Sequence, residues 1–158
     1  MPHTGRAGSR SGFNARITSM SNRQLQRTWR AALEALKDRR PYRIERLLSV
    51  PGLLRRVNPN SICGKYDLLT AAVGHCDVAT VNRLVLAGAK VNSRRGKTTP
   101  LMCAAAHGKA KTVKLLLRHG ANPRIIIDGL KAVAFAKDWH ARNTAALLRR
   151  AEAAFKLG

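Results

Sequence analysis

Slid along itself by 32 positions, this chain meets its own pattern: Leu69, Ala72, His75, Thr80, Val81, Leu84, Gly88 and Ala89 fall on Leu101, Ala104, His107, Thr112, Val113, Leu116, Gly120 and Ala121. A repeat of this length is one supersecondary unit. It is too small to bury an apolar face by itself, so the copies must stack. A second shift of the same size carries Ala104, Thr112, Leu116 and Arg118 onto Ala136, Thr144, Leu148 and Arg150, a weaker copy. Ahead of the strong pair, Ala32-Leu33-Glu34-Ala35 and Ile44-Glu45-Arg46-Leu47-Leu48 read as the two helices of a degenerate first copy.

Lys97 to Pro123 shows what the unit is. Thr99-Pro100-Leu101 opens a helix, because proline fixes φ and lacks only a donor that the first turn leaves unpaired. Ala104, Ala105 and Ala106 give it a slim face, and Gly108 breaks it. Val113, Leu116 and Leu117 restart the 3.6-residue rhythm in a second helix that stops at Gly120-Ala121-Asn122. Gly88 and Gly120 are expected at positive φ, and Leu101, Ala104, Val113 and Leu116 in the core. The unit resembles an ankyrin repeat, whose signature is Thr-Pro-Leu-His-x-Ala at a period near 33; Met102 stands in the histidine's place.

The resemblance implies an all-α solenoid of about four helix-turn-helix repeats with short hairpin fingers, the first and last being degenerate caps. The repeats fall at about 21–57, 64–92, 97–124 and 129–156, within a repeat domain spanning 21–158. In the last, Lys131-Ala132-Val133 replaces Thr-Pro-Leu, and Arg149 takes the place of Leu117, a polar substitution suited to an end that nothing covers. In ankyrin proteins the fingers and inner helices commonly form the partner-binding surface. Carried over, Lys90, Arg94, Arg95 and Lys97 make the finger before the third repeat a cationic probe. In the next finger Ile125, Ile126 and Ile127 are three consecutive β-branched residues that cannot all face inward, so an apolar protein contact is expected there, made by the run or, with Ile125 and Ile127 packed beneath, by Ile126 alone.

Charge is the compositional outlier. The formal net charge is +22, with fourteen basic against three acidic residues before Asp67 and sixteen against five from there on. Basicity therefore belongs to the whole molecule, and such a field favours polyanions. At 100° per residue, Leu25, Trp29, Ala32 and Leu36 share one side of the first repeat's opening helix, while Arg23, Arg27, Arg30 and Lys37 share the other. Ser21 to Gln24 has capping-box spacing, and Met20 with Leu25 has hydrophobic-staple spacing, so that helix's start is locally encoded. Residues 1–20 are rich in Gly, Ser and Arg without an acid and read as a basic flexible tail. Three readings of it stay open: an unstructured arm, a mitochondrial targeting segment, and an arm that orders on a polyanion.

Catalytic patterns are wanting. Gly96-Lys97-Thr98 lacks the glycine five residues earlier that a phosphate-binding loop needs, Val91 being there. Cys103, His107 and His75 have no paired short spacing of the kind zinc sites use. Carboxylates are few and scattered, and no nucleophile constellation is seen. We expect a non-enzymatic binding protein without metal or cofactor. Three cysteines without paired spacing point to a reducing, intracellular compartment, and no apolar run nears the roughly 18 residues of a membrane span. Two function classes follow. One is a small structural subunit of a ribonucleoprotein such as a mitochondrial ribosome, gripping RNA phosphates through Arg23, Arg27, Arg30, Lys90, Arg94, Arg95 and Lys97. The other is a protein-protein adaptor or regulatory effector without nucleic acid.

Overall fold

The computed structural model describes residues 10–136 and 141–155. Four antiparallel helix pairs follow one another: α2 (Asn22–Lys37) with α3 (Tyr42–Leu48), α4 (Leu68–His75) with α5 (Val78–Leu86), α6 (Pro100–Ala106) with α7 (Ala110–Arg118), and α8 (Ala132–Phe135) with α9 (Arg142–Ala154). The first helices of successive pairs pack on one another as an inner row, and the second helices as an outer row. This is the expected all-α solenoid, in which each repeat touches only its neighbours.

The period of 32 is written into the core. Leu84, Leu116 and Leu148 are fully buried one above another, beside a column of Thr80, Thr112 and Thr144 at 1% exposure or less. Leu101, Ala104 and Val113 are buried as expected, and the small Ala72 and Ala104 let the inner helices approach closely. Helix starts are encoded locally. The Asp67, Asp77 and Thr99 side chains accept from backbone N–H groups three residues on, and Ser21 with Gln24 forms the full capping box. Gly88 and Gly120 close the outer helices at φ of 90° and 82°, where a Cβ is penalised.

Side chains also tie the second and third repeats shut. The Asn60 carboxamide donates to Gly88 O and accepts from Lys90 N–H, and Asn92, 32 residues on, does the same with Gly120 O and Asn122 N–H. At the next position of this series stands Arg124. The Lys109 ammonium donates to Val73 O, Gly74 O and Cys76 O, at 2.8, 3.0 and 3.2 Å. It thus caps the end of α4 from the following repeat, with its charge at the negative pole of that helix.

Two expectations need correction. Composition places residues 10–19 in a flexible tail, but they form a helix, α1 (Arg10–Ser19). Ile17 is 2% exposed in the core of the first repeat, and Phe13 lies partly buried with the Arg46 guanidinium 4.0 Å over its ring. Arg56, far along the chain, donates to Thr18 O, Met20 O and Asn22 Oδ1, fixing the end of α1. Two apolar residues four apart are too short a pattern to show as periodicity, and their support comes from distant residues. Residues 1–9 lie outside those described. The fingers are also less regular than the resemblance implies. Among the described residues a two-residue ladder forms only ahead of α4, between β1 (Ile62–Cys63) and β2 (Tyr66–Asp67). The finger at 90–97 is turns without a ladder among the described residues, and the third has a single bridge, Ile127 with Leu130.

Candidate binding groove

The inner helices and the finger turns enclose an open groove of about 630 Å³. Its floor comes from α4 and α6: Thr70, Ala71 and Gly74 on one side, Met102 and Cys103 on the other, with Phe135 of α8 at one end. Its rim is cationic. Lys37 and Arg39 come from the end of α2, Lys65 from the β1–β2 turn, and Lys97 from the following finger, while His75 and His107 close the inner-helix ends. The lining contains four Lys and Arg side chains and not one carboxylate.

Backbone geometry holds the rim in place. Gly96 has φ of 72° and lies so close to the hairpin that a Cβ there would stand 2.6 Å from Tyr66 Cδ1 and 2.8 Å from Lys65 O. Only glycine lets the two fingers meet. Gly64, Gly96 and Asp128, 32 residues apart, all have positive φ, so each finger turns on the same left-handed position. Lys97 follows at φ of 54°, and its ammonium reaches only the edge of Asp128, 4.0 Å away and exposed. Lys65 Nζ stands 5.1 Å over the Tyr66 ring.

His107 Nδ1 lies 2.9 Å from Cys103 O; a carbonyl only accepts, so that nitrogen carries the proton and Nε2 is left for solvent or ligand. The pKa of His75 is lowered, first by partial burial of its ring and then by the positive charges of Arg39, His107 and Lys109. Burial pushes the Cys103 thiol up to about 11, so it is a neutral part of the floor and not a nucleophile. Among the described residues no group of three or more His, Cys, Asp or Glu is placed to hold a metal ion. Two buried polar atoms beside the floor, Asp67 Oδ2 and Thr70 Oγ1, have no hydrogen-bond partner among the described residues.

Of the residues chosen from sequence, Lys97 alone lines this groove. Arg23, Arg27 and Arg30 are exposed on α2, opposite buried Leu25, Trp29, Ala32 and Leu36, and outside the groove. Lys90, Arg94 and Arg95 are exposed on the finger without an ion pair among the described residues. The isoleucine run divides: Ile125 is buried at 6% exposure, Ile127 is half-buried and bonded to Leu130, and only Ile126, at 57%, faces outward. Ile125 is therefore core, because the bridge at Ile127 alternates the side chains along the finger. Arg39, Lys65 and Tyr66 were missed, and Lys37 was placed only on the basic side of α2. Lys65 and Lys97 stand 32 apart in the sequence, and that spacing was the available signal.

No helix among the described residues is long and apolar enough to cross a membrane. A family profile for ankyrin repeats in three copies matches residues 44–155. A putative E3 ubiquitin-protein ligase of Arabidopsis thaliana, XBAT34, is 38% identical over 79 residues, and the match covers 48% of this chain and 21% of the length of that relative. With the periodic core, the four stacked helix pairs and the finger turns, the match over residues 44–155 shows that the chain belongs to the ankyrin-repeat family.

Proposed function

We propose that the protein is a non-enzymatic binding module whose groove takes an acidic segment of a partner protein. The observation that carries this reading is the lining itself, with four Lys and Arg side chains and two histidines around an apolar floor, and no acid. Such a surface attracts carboxylates at long range and fixes their register, while Tyr66 and Phe135, both half-buried, offer apolar contact between them. Fluorescence anisotropy with a labelled oligoglutamate peptide tests it. The double variant Lys65→Glu, Lys97→Glu should weaken binding about tenfold or more without altering the melting temperature, because both side chains are exposed. Unchanged affinity in that variant would refute the reading.

A second reading rests on a separate observation. Arg23, Arg27 and Arg30 on α2, and Lys90, Arg94 and Arg95 on the finger, are exposed with no carboxylate partner among the described residues. They suit RNA phosphates in a ribonucleoprotein such as an organellar ribosome, with Lys97 completing the finger set. Filter binding across a salt series checks this: single-stranded RNA should give a log-log slope of roughly −0.7 per phosphate neutralised. Removing Arg94 and Arg95 together should flatten it by about one to two units.

A further inference from the structure

A second concavity lies at the other end of the solenoid from the terminal repeat. It is an open notch of about 290 Å³ between α1, α2 and α3. Its floor is Phe13, Ala31, Ala32 and Leu47. Tyr42 is 57% exposed at its mouth, with Arg43 Nε donating to the tyrosine hydroxyl at 3.0 Å, and Arg46 stands over Phe13. No acid lines it. Glu45, the acid within α3, turns away and accepts from Asp77 N–H.

We propose that this notch seats one apolar side chain of a partner protein segment whose flanking residues are acidic, the apolar group entering between Phe13 and Tyr42 and the carboxylates meeting Arg43 and Arg46. Charge complementarity sets the sign of the partner. The floor decides its class. The one polar floor group, the Thr28 hydroxyl, already donates to Gln24 O at 3.0 Å. At the floor itself a nucleobase edge would meet no free polar group, its partners being confined to the Arg43 and Arg46 guanidiniums and the Tyr42 hydroxyl at the mouth, whereas an aliphatic or aromatic side chain needs none. A buried apolar anchor ringed by arginine and tyrosine is also the usual form of a binding hot spot. The site shares no residue with the groove and stands or falls independently of it.

The test uses the full chain and two short fluorescein-labelled peptides of alternating Glu and Ser, one with a central Leu and one with a central Ala. The wild type should bind the leucine peptide about tenfold more tightly. Ala31→Trp, which fills the notch from an exposed position of α2, should abolish that ratio. Tyr42→Ala with Arg43→Ala should do the same, so the result does not hang on one variant's folding. Lys65→Glu with Lys97→Glu should leave the ratio intact, which separates this site from the groove. Equal binding of the two peptides by the wild type would overturn the proposal, as would a ratio that survives both notch variants. Binding of labelled oligouridylate that is lost on Ala31→Trp would overturn it in favour of RNA.

Discussion

Leu116 has no exposed surface and touches layers on both sides, so Leu116→Ala should cost about 2 to 5 kcal/mol, the larger values if the stack cannot close the cavity. Urea denaturation measures it. The glycines should divide by what surrounds them. At Gly120 a Cβ meets nothing within 4 Å, so Gly120→Ala should cost only the backbone strain, about 1 kcal/mol. At Gly96 the same change adds a clash with Tyr66 and with Lys65 O, so Gly96→Ala should be the more destabilising in parallel melts and should loosen the groove. His75 sets a pH dependence. Its pKa is lowered in the fold, so around and below the ordinary value near 6.5 the unfolded chain binds more protons. Stability should therefore fall as pH drops below about 6.5, and His75→Gln should flatten that fall in denaturant titrations.

Between elements, Arg56 is the test of α1. Its three hydrogen bonds to Thr18, Met20 and Asn22 fix the end of that helix, and Phe13 and Ile17 pack its apolar side. In Arg56→Ala, trypsin should cut after Arg16 many times faster, while amides of α4 to α7 keep their exchange protection. Equal cutting would mean that the helix is held without Arg56. The last three repeats were legible because Leu84, Leu116 and Leu148, and the threonines beside them, recur at one spacing that only stacking explains. The helix α1 was not, because Phe13 and Ile17 acquire meaning only once Arg46 and Arg56 are folded beside them. The groove was half legible. Periodicity aligned Lys65 with Lys97, but the contribution of Lys37 and Arg39 depends on where the irregular end of α2 turns, with Arg39 at φ of 59°.

For the whole molecule, the excess of positive charge has two separate outlets, a groove that gathers cations around apolar surface and exposed stripes that do not. The two should answer salt differently. Binding of an acidic peptide should retain a component at high ionic strength, because its apolar contacts are not screened, whereas phosphate contacts on the stripes should fade steadily. Protonation adds a second difference. An anion beside His75 favours its charged form, so affinity in the groove should rise as pH falls while the fold itself weakens.

Asn60 and Asn92 each sit at the start of a helix pair and bond the turn that ends it, so neither latch can engage until some thirty more residues have been added to the chain. During synthesis the repeats would therefore lock in order from the amino terminus, each completed pair offering a finished face to the one still emerging. The final pair has Arg124 where its latch would stand, and an inner helix, α8, of only four residues. Among the described pairs it should be the first to open, away from the notch and next to the Phe135 end of the groove, and its amides should be the fastest to exchange.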